Sequence, residues 1–242
     1  MPRTRRDWTI PAGLMALGLV PAVAGGARLA QLAGGNTAGT EAARFFAAPF
    51  PVTIHIVAAV VYSMLGALQF SPGLRRANPG WHRISGRILI PAAVLVAVTG
   101  IWMTLTYPSP PNDGTMVFVE RLIFGSAMLI SVVLGVDAIR RRRYAEHGAW
   151  MIRAYAIGLG AGTQVLTHLP WFLVSDLEPG PTPRAVMMGL GWVINLAVAE
   201  RVIRQPASRS ARAARDHSPG GGGWQGAGGE APLGEPGSLA SR

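Results

Sequence analysis

The chain has no cysteine, no lysine and few charged residues. The absence of cysteine excludes disulfides, thiolate zinc sites, iron–sulfur clusters and cysteine nucleophiles. All 22 basic residues are arginine, which excludes Schiff-base chemistry and a P-loop lysine. Charged residues make up 14% of the 242 residues, whereas a soluble domain usually has about 25%. Because half of the residues are hydrophobic, the composition favours a membrane protein.

The apolar residues fall into six runs of about 20 residues, the length that crosses a hydrocarbon core of about 30 Å as a helix. Proline- and glycine-rich turns separate the runs. The sequence therefore predicts an all-α fold, a polytopic membrane helix bundle of about six transmembrane helices. The predicted spans are 10–32, 51–70, 85–106, 116–138, 150–174 and 185–203.

Three regions follow from this pattern. A short cytoplasmic N-terminus, 1–9, precedes the six-span domain, 10–204. A tail rich in glycine, proline and arginine, 205–242, has too few large apolar residues to offset the entropy of ordering, so we predict that it is disordered.

One alternative concerns the first span. Arginines, an apolar stretch and the small residues Ala22–Val23–Ala24 resemble a signal peptide, whose cleavage would leave five spans.

The arginines are distributed unevenly between the two sides of the predicted membrane. With a cytoplasmic N-terminus, the inside segments hold most of them, including the run 140–143, and the outside segments hold few. This positive-inside asymmetry places both termini in the cytoplasm. The asymmetry also explains the net charge of +10 as a consequence of membrane topology. The expected partner is therefore the lipid bilayer, and no nucleic-acid partner is expected.

Histidines provide the candidate site. Ionisable residues within a membrane span are costly and mark functional sites by default. Counted from the centres of their spans, His55 and His168 lie at similar depths, roughly 8 and 9 Å toward the outside. Gln164 lies one turn before His168, among Gly158, Gly160 and Gly162, whose small size permits close approach of a helix or a flat cofactor. We therefore expect an outer-leaflet site of His55, His168 and Gln164.

A second, weaker candidate lies at the cytoplasmic boundary. There, two histidines are surrounded by arginines, which can pair with carboxylates or phosphates. The members of this inner cluster are His82, Arg83, Arg87, His147 and Arg153. In the alternative interpretation, the histidines are anchoring or packing residues beside Trp81 and Trp150 of an aromatic belt, and the arginine run only sets topology. The sequence contains no recognisable catalytic set, so enzyme activity stays open.

Several of these residues belong to motifs. His82-Arg83-x-x-Gly86-Arg87 and His147-x-x-Trp150-Met151-x-Arg153, with Leu65–Phe70 before them, resemble a bacterial family of predicted multi-pass membrane proteins of unknown function. The resemblance covers roughly 50–200, and it implies architecture and a prokaryotic plasma-membrane location. A weaker likeness to membrane cytochromes b and ferric-reductase-like proteins implies haem ligation by histidines from different helices.

Three hypotheses for function follow. In the first, the chain is a redox protein that binds one b-type haem, and His55 and His168 are the axial ligands of the haem iron. Its partner would be a membrane protein or a quinone. The spacing of His147 and His168, about 31 Å along a continuous helix, argues against a second haem. In the second, the chain is a non-catalytic membrane subunit or assembly factor without cofactor. In the third, it is a small proton-coupled transporter.

Overall fold

The computed structural model describes residues 6–35 and 40–205, and the regular secondary structure of this part of the chain is entirely helical. Five of its helices are long and apolar enough to cross a membrane. The helices are α1 (Arg6–Ala33), α2 (Thr40–Ala47), α3 (Pro49–Leu68), α4 (Pro72–Ala77), α5 (Pro79–Thr106), α6 (Thr115–Arg140), α7 (Tyr144–Gly158), α8 (Gly160–Val174) and α9 (Pro181–Arg204). Apart from Gln205, the predicted disordered tail lies outside the described residues, as do residues 1–5 of the predicted N-terminal segment.

Proline and side-chain caps fix where two of the helices begin. The Ser71 side chain accepts a hydrogen bond from the Leu74 amide at the start of α4, and the Asn78 side chain accepts one from the Trp81 amide at the start of α5. Both caps are followed by a proline, whose fixed φ and missing N–H suit the first helical position. The third predicted span therefore begins earlier than expected, at Pro79 and not at 85.

The fifth predicted span, 150–174, is not one helix. It is divided into α7 and α8 at Leu159, between Gly158 and Gly160. A Cβ on Gly158 would meet the Tyr62 ring of α3, and one on Gly160 would meet the Trp192 ring of α9. A Cβ on Gly162 would meet the backbone oxygen of Leu17 in α1. The glycines thus let three neighbouring helices approach the break. This is the first of the two expectations for these small residues, close approach of a helix or of a flat cofactor.

The core of the bundle lies between α3, α5, α6 and α7. Tyr155 of α7 donates a hydrogen bond to the Ser63 carbonyl over 2.8 Å and packs against Tyr62 and Phe70. Large apolar side chains also cover the outside of the bundle. Ile123, Val133 and Val198 are each 57% exposed, for example. Apolar residues on both the inside and the outside are expected of helices that contact lipid.

The helices alternate in direction, so their ends define two ends of the bundle. The end we call arginine-rich holds the start of α5, the ends of α3, α6 and α9, and the start of α7. Its exposed arginines are Arg75, Arg76, Arg83, Arg87, Arg140, Arg141, Arg142, Arg143, Arg201 and Arg204. The opposite end, which we call the cavity end, holds Arg44, Arg121 and Arg184. The arginine-rich loops and the arginine-poor loops therefore lie at opposite ends of the bundle, as predicted. That the arginine-rich end faces the cytoplasm stays a prediction.

Candidate functional site

A cavity of about 340 Å³ opens at the cavity end, between α3, α5, α6, α7, α8 and α9, with α2 at its edge. We call it the His55 cavity. Its walls are mainly apolar and include Met128, Ile157 and Trp192, with Phe124 stacked on Trp192 at 4.6 Å between ring centroids. Two of the predicted site residues, His55 and Gln164, also line it. A largely apolar cavity with few polar groups is the usual form of a small-molecule site.

The hydrogen bonds around His55 determine which ring nitrogen carries the proton. The Thr99 hydroxyl donates to the Leu95 carbonyl of its own helix over 2.5 Å. Its oxygen therefore accepts the hydrogen bond from Nδ1 of His55, 3.0 Å away. The Val96 carbonyl also accepts a hydrogen bond from the ring, and it must share the Nδ1 proton because a neutral imidazole has only one N–H. Nε2 is then an unprotonated acceptor that faces none of these partners. Gly100 allows α5 to pass beside the ring, because a Cβ there would lie 3.4 Å from Cε1.

Gln164 reaches the same cavity from α8. Its Nε2 donates to the Met188 carbonyl of α9 over 3.2 Å. Its Oε1 takes part in none of the hydrogen bonds of the described residues. Gly191 permits this close contact of α8 and α9, since a Cβ there would lie 2.6 Å from Cγ of Gln164. The cavity is therefore lined by two hydrogen-bond acceptors, Nε2 of His55 and Oε1 of Gln164.

The second predicted histidine, His168, lines a different space. This space, which we call the α8–α9 groove, has a volume of about 370 Å³ and is lined by Ala161, Gln164, Val165, His168, Leu169, Phe172, Arg184 and Met188. Nδ1 of His168 donates to the Gln164 carbonyl over 2.7 Å, as it must because a carbonyl can only accept. His55 and His168 thus have the same tautomer but line separate spaces, which share Ala161, Gln164 and Met188.

This placement bears on the haem hypothesis. Axial ligation by two histidines requires both Nε2 atoms to face one iron. The tautomers fit, because a ligating histidine normally donates its other ring N–H to an oxygen. The positions do not fit as they stand, because the two rings line separate spaces. Bis-histidine haem ligation therefore stays a prediction.

The rim of the cavity is held together by an ion-pair cluster that the sequence did not reveal. Asp113, in the loop before α6, pairs with Arg121 and with Arg184, each at 2.6 Å, and its side chain is only 2% exposed. In the sequence, Asp113 reads as part of a turn. Its partners lie 8 and 71 residues away, so spacing gives no signal for the pair with Arg184. Arg44 extends the rim by donating to the Pro108 carbonyl over 3.2 Å.

The predicted inner cluster is divided between two networks at the arginine-rich end. The Ser85 hydroxyl donates to the Trp81 carbonyl over 2.5 Å, so its oxygen accepts from Nε2 of Gln69. The Gln69 oxygen then faces Nδ1 of His82, which must donate to it. Sequence analysis missed Gln69 and Ser85 as partners of His82, although Gln69 stands in the Leu65–Phe70 segment.

The second network joins α6, α7 and α9. His147 donates from Nδ1 to the Gly135 carbonyl over 2.8 Å. Arg153 binds both carboxylate oxygens of Glu200, at 2.5 and 3.2 Å, and lies over the Trp150 ring. Arg83 and Arg87 are exposed and stand apart from both networks. Among the described residues, no three His, Asp or Glu side chains come together as candidate metal ligands.

Fold and site together define a multi-pass helical membrane protein with a ligand-sized cavity between its helices. The chain belongs to the family described as Predicted membrane protein (DUF2306), whose model matches residues 52–203. The match extends from α3 to α9 and includes all residues of the α8–α9 groove and most of the His55 cavity. Helices α1 and α2 precede it, and α2 supplies Arg44 and Phe45 to the cavity. Searches of curated proteins and of solved structures return no match.

Proposed function

We propose that this membrane protein binds a small, mainly apolar molecule that carries a hydrogen-bond donor, of the phenol or hydroquinone class, in the His55 cavity. One observation carries the proposal. An apolar cavity of about 340 Å³ is lined by two acceptors, Nε2 of His55 and Oε1 of Gln164, that bind nothing else among the described residues. Acceptors that face a mainly apolar cavity gain a hydrogen bond from a donor placed there, so a ligand with a hydroxyl group is stabilised.

The character of the walls supports this class of ligand. Small-molecule sites typically have volumes of about 300–1,000 Å³ and apolar linings with a few placed polar groups. Phe124, Trp192 and Met128 offer aromatic and thioether surfaces that suit a flat aromatic ring. An oxidised quinone offers only acceptors, which would face the acceptors of His55 and Gln164, so the reduced, hydroxyl-bearing form suits these two groups better. Arg44 and Arg121 line another part of the cavity wall, where both have partners already, Pro108 and Asp113.

The proposal is tested with a matched pair of ligands. Calorimetric titration of the detergent-purified protein uses 4-ethylphenol, which has a hydroxyl donor, and 4-ethylanisole, in which a methyl group replaces the proton. We expect the phenol to bind about tenfold more tightly, the effect of one hydrogen bond of about 1.4 kcal/mol. Equal binding of the two compounds would overturn the proposal.

A pair of variants assigns the binding to this cavity. In the proposal, the single hydroxyl of the phenol donates to Nε2 of His55. His55→Leu removes this acceptor, so the preference for the phenol should disappear. His168→Leu makes the same chemical change in the α8–α9 groove, outside the His55 cavity, and should retain the preference. If both variants or neither variant lost it, the ligand would not lie against His55.

Haem binding is the second candidate, because His55 and His168 both have Nδ1 engaged and so present Nε2, the usual ligating nitrogen. Absorption spectra of oxidised and dithionite-reduced protein, produced with ample haem, test it directly. A sharp reduced band that disappears in both His55→Leu and His168→Leu would support bis-histidine ligation. No band, or a band that survives both changes, would exclude this ligand pair. The subunit and transporter hypotheses stay predictions beside these two.

A further inference from the structure

The α8–α9 groove adjoins the His55 cavity. Ala161, Gln164 and Met188 line both spaces, so these three residues form the boundary between them. A molecule whose hydroxyl donates to Nε2 of His55 and whose ring reaches Gln164 lies beside this boundary. Any extension of that molecule past Ala161 and Met188 enters the groove.

The groove is apolar along one side and open to the outside of the bundle. Val165, Leu169 and Phe172 follow one another at spacings of four and three, so they form one stripe of α8. They are 38%, 49% and 51% exposed, respectively. The stripe spans about 10 Å along the helix axis. In a helix of a membrane-spanning bundle, this exposed apolar side faces the acyl chains of lipids.

From this adjacency we infer that the groove holds the apolar tail of the same ligand whose hydroxyl-bearing head lies against His55, the tail passing between Ala161 and Met188. The inference rests on the proposed function and narrows its ligand class. The ligand is an alkyl- or prenyl-substituted phenol or hydroquinone that reaches the site from the bilayer, and not a small water-borne phenol. The alternative path, across the rim at Arg44 and Pro108, would bring ligands from the aqueous side and would leave the groove to ordinary lipid.

The polar residues of the groove are consistent with this arrangement. The Arg184 side chain is paired with Asp113, so its charge is partly compensated. The ring of His168 is turned onto the backbone of its own helix through the bond to the Gln164 carbonyl. An apolar tail can therefore follow the Val165–Leu169–Phe172 stripe without separating an unpaired charge from water.

The absence of cysteine in this chain makes a specific test simple, because a single introduced thiol is the only site for a maleimide. Leu169→Cys places the thiol in the groove. Val133→Cys places it on the outer surface of α6, where the side chain is 57% exposed and lines neither space. The rate of reaction with N-ethylmaleimide is then measured in detergent, with saturating 4-octylphenol or 4-ethylphenol.

We expect 4-octylphenol to slow labelling of the thiol at position 169 severalfold and to leave labelling at position 133 unchanged. The short 4-ethylphenol should protect neither thiol, although it occupies the His55 cavity. Adding His55→Leu to Leu169→Cys should abolish protection by 4-octylphenol, because the head is then no longer held.

Three results would overturn the inference. Protection that persists with His55→Leu would mean that the compound partitions into the groove by itself. Equal protection at positions 169 and 133 would mean general partition into the detergent layer. Calorimetric binding of 4-octylphenol without protection at 169 would place the tail elsewhere, for example toward the rim. If neither phenol binds in calorimetry, the proposed function itself fails, which is a separate result.

Discussion

The two ends of the bundle are held together by different chemistry. At the cavity end, a carboxylate and arginines that are distant in sequence join loops around open space, as Asp113 does with Arg184. At the arginine-rich end, the ion pair of Arg153 with Glu200 joins distant residues too, but its carboxylate is 31% exposed, against 2% for Asp113. Neighbouring helices there are also joined by short chains of hydrogen bonds between partly buried side chains, as in Gln69 with Ser85. The comparison suggests that the cavity end is built to accept a ligand, whereas the arginine-rich end fixes the positions of the helices.

The largest effect should come from the ion-pair cluster at the rim. Asp113→Asn leaves Arg121 and Arg184 without their shared carboxylate, and the Asp113 side chain is 2% exposed. Removing one partner of a buried ion pair typically costs about 3–5 kcal/mol of the free energy of unfolding. The matched control at the other end is Asp137→Asn, whose pair with Arg141 is half exposed and should cost about 0–1 kcal/mol. Denaturant unfolding in one detergent measures both, and similar losses would contradict the contrast between the ends.

A smaller effect is expected from the glycine contact at the break between α7 and α8. Gly162→Ala would push a Cβ against the Leu17 backbone, which cannot rotate away as a side chain can, so the cost should be about 1–3 kcal/mol. Gly148→Ala in α7 meets nothing within 4 Å and should be neutral or gain roughly 0.5–1 kcal/mol from helix propensity. Thermal unfolding of both variants is the measurement. Equal stability would show that α1 does not hold α8 at this point.

The hydrogen-bond chain at the arginine-rich end can be tested with a double-mutant cycle. Ser85→Ala leaves the Gln69 amide N–H without its acceptor in a partly buried position, which should cost about 1–3 kcal/mol. In the Gln69→Leu background the same change should cost less, with a coupling energy of about 0.5–3 kcal/mol. Neither variant should alter the affinity for 4-ethylphenol. Loss of that affinity would show that the two ends are not independent.

The smallest effect concerns the orientation of His55. Thr99→Val keeps the shape of the side chain but removes the oxygen that accepts from Nδ1. The ring is then free to change tautomer or orientation, so the affinity for 4-ethylphenol should fall by about 0.5–1.5 kcal/mol. Thr163→Val is the matched control, since Thr163 donates to Asn195 over 2.7 Å and does not line the cavity. If the two variants weaken binding equally, Thr99 has no specific role in positioning His55.

Sequence analysis predicted the architecture more fully than the site. The apolar runs located the spans, because a helix needs about 20 apolar residues to cross the hydrocarbon core. Family membership agrees with the predicted resemblance. The break at Leu159 was not predicted, because the residues around it in 150–174 are mainly apolar and hydropathy carries no information on where helices cross. Gly158, Gly160 and Gly162 were recognised as contact positions, but the need for a break depends on three neighbouring helices at once.

Of the three residues that the sequence named for the outer site, the structure places two, His55 and Gln164, in the lining of one cavity. Depth along the helix put His55 and His168 in the same leaflet, and the role of these residues as a site stays a prediction. Depth does not specify rotation about the helix axis, which turns His168 into a separate groove. The partners of His82 were missed for a related reason. The chain from Gln69 through Ser85 depends on which faces of α3 and α5 meet.

By itself, the sequence determined that this chain is a helical membrane protein with arginines concentrated on one side. Both properties follow from composition along the chain, because lipid imposes helices and a fixed hydrophobic length. Only the tertiary structure decided which polar groups share a space, which nitrogen of each histidine is protonated, and that Asp113 joins two arginines at the rim. These properties depend on helix rotation and on contacts between residues far apart in the chain, and the free energy that sets them comes from packing.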